Sequence, residues 1–283
     1  MNELKIFKDY MESERNLSPN TIVNYISDIK QFSDFIDKPL KQIRHTDISR
    51  FIIFIRSNGV SVSTANRKLS SLKTFFKFFV KQGSLNHNPA DTLEGGKAEQ
   101  RLPKPIDFED IEKLINTTDC LRDKAILEIL YGTGIRRAEL VNIRKKDINF
   151  RDSYVKVLGK GCKERIVPLH PTALKLATKL TVNTDSEWLF PSPKNGNKQL
   201  SYRAINTIIT RLADRAGLSN ITPHRFRHSF CSHLYSAGAE LKVIQDLAGH
   251  QNPNTTQLYT KINNRRNHEE YLLFHPRASG GGP

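Results

Sequence analysis

SYVKVLGKGCKERIVPL, residues 153–169, is the stretch that sets the fold class. Tyr154, Val155, Lys156, Val157 and Leu158 alternate in polarity, as do Arg165, Ile166, Val167, Pro168 and Leu169. A period of two is the mark of a half-buried strand. Between the two runs lies Gly159-Lys160-Gly161-Cys162-Lys163-Glu164, a glycine-rich turn. The stretch therefore predicts an antiparallel β-hairpin with Lys160 at its tip. Trp188-Leu189-Phe190 is expected to be a third short strand. Most of the chain on either side has a helical period, so the expected fold is mainly α with a small antiparallel β-sheet.

Upstream, Ala125, Ile126, Ile129 and Leu130 continue a helix up to Gly132-Thr133-Gly134. A new helix start follows near Ile135 and places Arg136 three residues before Glu139, close enough for the carboxylate to orient the guanidinium. Further back, residues 93–105, LEGGKAEQRLPKP, read as an interdomain linker because Gly95-Gly96, Pro103 and Pro105 interrupt every periodicity. Before the linker, four helical stretches suit a small bundle. Leu4, Phe7, Tyr10 and Met11 mark the first, and Ser18-Pro19 opens the second. Thr46 begins the third, and Ser61 or Ser63 begins the fourth, with Leu69, Leu72, Phe75, Phe76 and Phe79 on its apolar stripe. The expected domains are 1–92, a linker at 93–105, 106–278, and a flexible tail at 279–283.

The chain has 283 residues and a formal net charge of +15. A surplus that large favours a polyanionic partner. No apolar run approaches the roughly 20 residues that span a bilayer, so no membrane partner is expected. The amino-terminal stretch is amphipathic and acid-containing, unlike a secretory signal. Cys120, Cys162 and Cys231 are odd in number and form no C-x-x-C pair, which points to a reducing, cytoplasmic setting. Between Asp47 and Asp91 there is no acidic residue, yet Arg50, Arg56, Arg67, Lys68, Lys73, Lys77 and Lys81 all fall there. A one-sign stretch on two helices suggests a face laid against phosphates, with Arg50, Arg67, Lys68, Lys73 and Lys77 as its contacts.

Downstream, Thr222-Pro223 reads as an N-cap and first-turn proline. His224 and Arg227 then share a helical face, separate from the apolar stripe of Phe226, Phe230 and Leu234. Arg225 and His228 form a rival face that spacing alone leaves open. Leu241, Ile244 and Leu247 build another amphipathic helix, ended by Gly249, with His250 at the bend. Pro253 enforces a turn that can bring Tyr259 near His250.

Four segments, GTGIRRAELVNI (132–143), VLGKGCKERIVPL (157–169), HRFRHSF (224–230) and LAGHQNPNTTQLYTKI (247–262), occur in this order. Together they resemble the tyrosine recombinase/integrase family, with most similarity to its Xer group. The ending Phe274-His275-Pro276-Arg277-Ala278 adds to the likeness. The resemblance implies a SAM-like core-binding four-helix domain followed by a recombinase catalytic domain. It matches Arg136, Lys160, His224, Arg227 and His250 to the catalytic set and Tyr259 to the nucleophile. It implies a 3′-phosphotyrosyl intermediate, no cofactor and no metal. It further implies a double-stranded DNA site, a homo- or hetero-tetramer acting through a Holliday junction, and a DNA translocase as regulator. Position 248 is Ala where the family often has Leu or Gly.

Other readings share parts of this pattern. A type IB topoisomerase-like enzyme would use the same side chains and religate the same strand. A mobile-element integrase belongs to the same family. A catalytically silent DNA-binding protein would leave the six polar residues without a purpose. A metal site from His224, His228, His233 and His250 lacks acidic ligands at suitable spacing.

Overall fold

The computed structural model describes residues 2–13, 19–97, 104–159, 164–249 and 260–278. The chain divides into two compact units, Met1–Arg101 and Leu102–Pro283, each considered by itself.

The first unit holds α1 (Asn2–Ser13), α2 (Pro19–Ile36), α3 (His45–Ser57) and α4 (Val62–Lys81). Ser61 starts α4, its hydroxyl accepting the Thr64 amide at 3.3 Å. The buried stripes of the four helices meet in an aromatic core. Phe7 and Phe75 pack edge to face at 5.2 Å, as do Phe32 and Phe51 at 5.3 Å. Each phenylalanine withdrawn from water contributes roughly 1.5–3 kcal/mol.

The structure departs from expectation at Lys68. Its side chain is buried, and Nζ donates to Asp28 Oδ1 at 2.8 Å and Gln31 Oε1 at 2.7 Å. Lys68 lies one turn before Leu72, on the stripe that faces the core, so its ammonium turns inward to a buried carboxylate. Ser71 and Arg67 bind the same Asp28. Arg50, Arg67 and Lys77 are exposed, and Lys73 donates to the Asp91 carbonyl at 3.2 Å. Within the expected linker, Gly96 is tied to α4. The Asn66 side chain accepts the Gly96 amide at 2.9 Å and donates to the Gly96 carbonyl at 2.8 Å.

The second unit opens with α5 (Phe108–Asn116), α6 (Leu121–Thr133) and the short α7 (Arg137–Val141). A sheet follows, of β1 (Ile148–Asn149), β2 (Tyr154–Leu158) and β3 (Glu164–Pro168), antiparallel in that order. Val157 faces Arg165 and Leu158 faces Glu164, so the hairpin expected from residues 153–169 is present. Lys160, at its tip, lies outside the described residues. Next come α8 (Pro171–Val182), β4 (Pro191–Ser192), β5 (Asn195–Gln199), α9 (Tyr202–Ala216), α10 (Pro223–Ala237), α11 (Leu241–Ala248) and α12 (Thr260–Phe274).

Trp188-Leu189-Phe190 is not a strand of the main sheet. Leu189 and Phe190 are both buried, whereas a strand would alternate. Trp188 makes an isolated bridge to Arg144, whose guanidinium sits 4.8 Å from the indole ring centre. The third strand is β1, and the next hairpin is β4–β5.

Helix α6 is the axis of this unit, buried on all faces over its second half. It stops at Gly134, whose φ of 60° is left-handed. A Cβ there would lie 2.3 Å from Phe230 Cδ1, so glycine is required twice over.

The carboxyl-terminal segment is anchored to α6 within the unit. Tyr271 is fully buried beside Phe230, Leu234, Val243 and Leu247, while Leu272 and Leu273 are exposed. Arg277 donates to Glu128 at 2.8 Å and to Glu112 at 3.0 Å. His170, Tyr131, Tyr271 and His275 surround that pair, and Tyr131 bonds His233 at 2.8 Å. His170 lies 3.4 Å from the Glu128 carboxylate. No ion pair forms there, because burial holds His170 down to about 4. His275 is pushed well below its ordinary value by burial and then by His170. Burial raises the Glu128 carboxyl against the pull of Arg277.

A pH dependence follows. In the unfolded chain a histidine gains its proton near pH 6.5, while His170 in the fold resists until about 4. Stability is therefore expected to fall as pH drops across that window, by about 3 kcal/mol from His170. His275 acts in the same direction, and Glu128 offsets part of the loss. Urea denaturation at pH 7 and pH 4.5 checks this, and a His170→Gln variant should show a shallower fall. A flat wild-type profile would contradict it.

Candidate active site

Arg136 is the residue at which the Gly134 turn enters α7. Its own amide donates to Glu139 Oε2 at 2.7 Å, which closes the first turn of that helix. Its guanidinium gives Nη1 to Glu139 Oε1 at 3.0 Å and Nη2 to the Gly249 carbonyl at 3.2 Å. The arginine remains exposed, while Glu139 is buried. Arg137 points elsewhere and donates to Asn206 at 3.1 Å.

Helix α10 brings the second guanidinium. Thr222 caps it by accepting the Arg225 amide at 3.3 Å. His224 is exposed in the first turn, and Arg227 follows one turn later. Arg227 is only 5% exposed. Its Nη1 donates to the Gly134 carbonyl at 2.8 Å, and its Nη2 is buried without a hydrogen-bond partner among the described residues. Burial, and then the nearby charge of Arg136, push Arg227 down to about 10, so it stays protonated at neutral pH. On the rival face, Arg225 donates to the carbonyls of Lys104, Pro105 and Asn220 at 3.1, 3.2 and 3.1 Å. Arg225 thus ties the start of this unit to α10.

A third guanidinium belongs to Arg165 on β3, which sequence reading placed only as a strand residue. Its Nη1 and Nη2 reach Glu139 Oε1 and Oε2, each at 2.8 Å. The signal was present. Arg165 alternates with Val167 and Leu169, both buried, so a charge stands on the inward face. Glu139 ionises more readily than an ordinary glutamate. Burial works against this, but the hydrogen bonds and charge of Arg165, with those of Arg136, prevail.

Arg136 and Arg165 thus share one buried carboxylate, and Arg227 feels its charge and theirs without bonding to it, which leaves a cationic excess in a half-buried setting. Two like charges brought this close need an anion to offset them. The unpaired Nη2 of Arg227 and the exposed edge of Arg136 are suited to the paired oxygens of a phosphate. His250 and Tyr259 lie outside the described residues, as does Lys160. Gly249, the residue before His250, is bonded to Arg136, and Tyr259 directly precedes α12. Of the four histidines weighed as metal ligands, His233 is engaged with Tyr131.

Residues 104–266 match the family described as the phage integrase family, and residues 4–83 match its N-terminal SAM-like domain. The chain is 35% identical to a protein named tyrosine recombinase XerD from Listeria monocytogenes, covering 98% of this chain and all of that one. It is 34% identical to tyrosine recombinase XerC from Oceanobacillus iheyensis, covering 99% of each. Among solved structures, a lambda integrase dimer bound to a core site has a TM-score of 0.75 at 21% identity, over 91% of this chain and 97% of that one. The lambda integrase tetramer bound to a Holliday junction has a TM-score of 0.74 at 22% identity, over 91% and 79%. At that identity the likeness is one of fold.

Proposed function

This chain belongs to the phage integrase family of tyrosine recombinases, and we propose from that premise that it cuts and rejoins duplex DNA at a specific site by way of Tyr259. The observation that carries the reading is the pair of guanidiniums. Arg136 and buried Arg227 carry more positive charge than Glu139 can offset, and Arg227 offers a free Nη2. A scissile phosphate supplies the missing negative charge, which is concentrated further in the pentacovalent transition state.

The roles follow from residue chemistry. The phenol oxygen of Tyr259 attacks phosphorus in line, forming the Oη–P bond as the P–O5′ bond breaks. His224 accepts the phenol proton, and Lys160 protonates the departing 5′-oxygen. His250 donates a hydrogen bond to the phosphate. The product is a 3′-phosphotyrosine and a free 5′-hydroxyl. The 5′-hydroxyl of another strand then attacks the ester and releases Tyr259. The ester keeps the energy of the bond, so neither ATP nor a metal is needed. Exchange of this kind between two duplexes takes four protomers and passes through a Holliday junction. The Xer proteins it resembles make resolution of chromosome or plasmid dimers in the cytoplasm the favoured setting. Among the described residues no helix is long and apolar enough to cross a membrane. Arg50, Arg67, Lys73 and Lys77 of the first unit serve as phosphate contacts, and Lys68 is withdrawn from that set.

The test is covalent trapping. A duplex selected by the full chain from a randomised pool is nicked close to the cleavage position, so that the released fragment diffuses away. The chain is expected to become linked to the 3′ end of the cut strand, leaving a free 5′-hydroxyl. Specific binding with no linked product would overturn the reading in favour of a silent DNA-binding protein.

A further inference from the structure

Arg165 is not among the residues assigned to the phosphate, yet from β3 it touches α7 and the end of α11. It sits on β3 next to the hairpin turn that carries Lys160. It grips both oxygens of Glu139 on α7 in a two-pronged pair of 2.8 Å bonds. Its Nε donates to the Leu247 carbonyl at the end of α11, at 2.9 Å. The guanidinium also lies flat against Gly249, where a Cβ would stand 3.0 Å from Cζ. Gly249 has a φ of 67°, so the turn before His250 is shaped around this side chain. Arg165 is 13% exposed at the side chain, and its three bonded nitrogens all face protein.

The bonds on Glu139 show what Arg165 does. Oε1 accepts from Arg136 Nη1 and Arg165 Nη1, while Oε2 accepts from the Arg136 amide and Arg165 Nη2. The stronger, parallel pair goes to Arg165, and Arg136 has a single side-on bond through its guanidinium. The carboxylate is thus neutralised mainly by Arg165. Arg136 keeps its charge and its outer edge for another anion.

We propose that Arg165 is a positioning residue of the recombination site. By taking the Glu139 carboxylate in a fork, it leaves the charge of Arg136 unneutralised and aimed at the scissile phosphate, and it holds the α11 exit before His250. Without it, Glu139 turns its whole charge on Arg136. The clamp then becomes a closed ion pair that no longer needs a phosphate.

The proposal rests on the recombinase reading, and its test separates the two. The full chain and its variants are compared for DNA affinity and for the rate of covalent complex formation on the nicked duplex. Arg165→Gln should bind DNA within about threefold of the unmodified chain, because phosphate contacts spread over both units set affinity. Its covalent step should slow by about a hundredfold, the scale of a misplaced clamp. Adding Glu139→Gln should restore at least about tenfold of that rate, since it removes the stranded carboxylate. A residue that merely supports the fold would show no such recovery. Thermal unfolding is followed in parallel, and Arg165→Lys carries the same comparison if Arg165→Gln is not cooperatively folded. Unchanged rates in the Arg165 variants, or a double variant no faster than the single, overturn the proposal. The recombinase reading fails on a different result, the absence of any covalent product from the unmodified chain.

Discussion

Tyr259→Phe is expected to bind the selected DNA as tightly as the unmodified chain and to form no covalent product, a loss of at least about 10⁴-fold in the cleavage step. The change removes one oxygen. It leaves the two-guanidinium site, the hairpin and α12 as they are, so affinity should not fall. Among the described tyrosines, Tyr131 and Tyr271 are unsuited to replace it. Tyr131 and Tyr271 are buried, and burial raises both phenols. Tyr131 is bonded to His233, and Tyr271 packs against Phe230 and Leu247. Tyr235 is the most exposed alternative, at 65%, two turns beyond Arg227 on α10. Tyr235→Phe is therefore the matched control and should retain full activity. A trapped complex with Tyr259→Phe, or its loss in Tyr235→Phe, would reassign the nucleophile. Peptide mapping of the DNA-linked fragment gives an independent answer.

The reach of sequence reading here depends on how local each feature is. The hairpin of residues 153–169 was legible because alternation and a glycine turn are properties of neighbours. The start of α10 at Thr222-Pro223 was legible for the same reason. So was the pairing of Arg136 with Glu139, three residues apart. What escaped was decided by distant partners. Lys68 carries the same charge as Lys77, but only the position of Asp28, forty residues earlier, makes it an interior ion. Arg165 meets Glu139 across 26 positions, so its part in the site needed the fold. Arg225 and Arg227 differ by two residues and were separable only once Lys104 and Pro105 were seen to occupy the first. Helix α6 hides its role differently. It is buried on all sides, so it has no amphipathic stripe to mark it as the axis of its unit.

Arg227→Met is expected to lower covalent complex formation by about 10³-fold, the scale of removing one preorganised donor to the transition-state phosphate. It should do so without lowering the thermal midpoint. That combination distinguishes an arginine kept for chemistry from one kept for the fold. Burial, and then the charge of Arg136, bring Arg227 from its ordinary value down to about 10. A folded-state pKa below the unfolded one means that the charged side chain opposes folding at neutral pH. The opposition amounts to about 3 kcal/mol and would ease only as pH rises above 10. Methionine fills a similar volume without charge. It gives up the bond to the Gly134 carbonyl, which offsets about 1 kcal/mol of the gain. The remainder should hold or raise the midpoint, as expected where a site keeps strain for function. A midpoint that falls with activity would instead make Arg227 a strut between α10 and the Gly134 turn. The phosphate would then have to be held chiefly by Arg136.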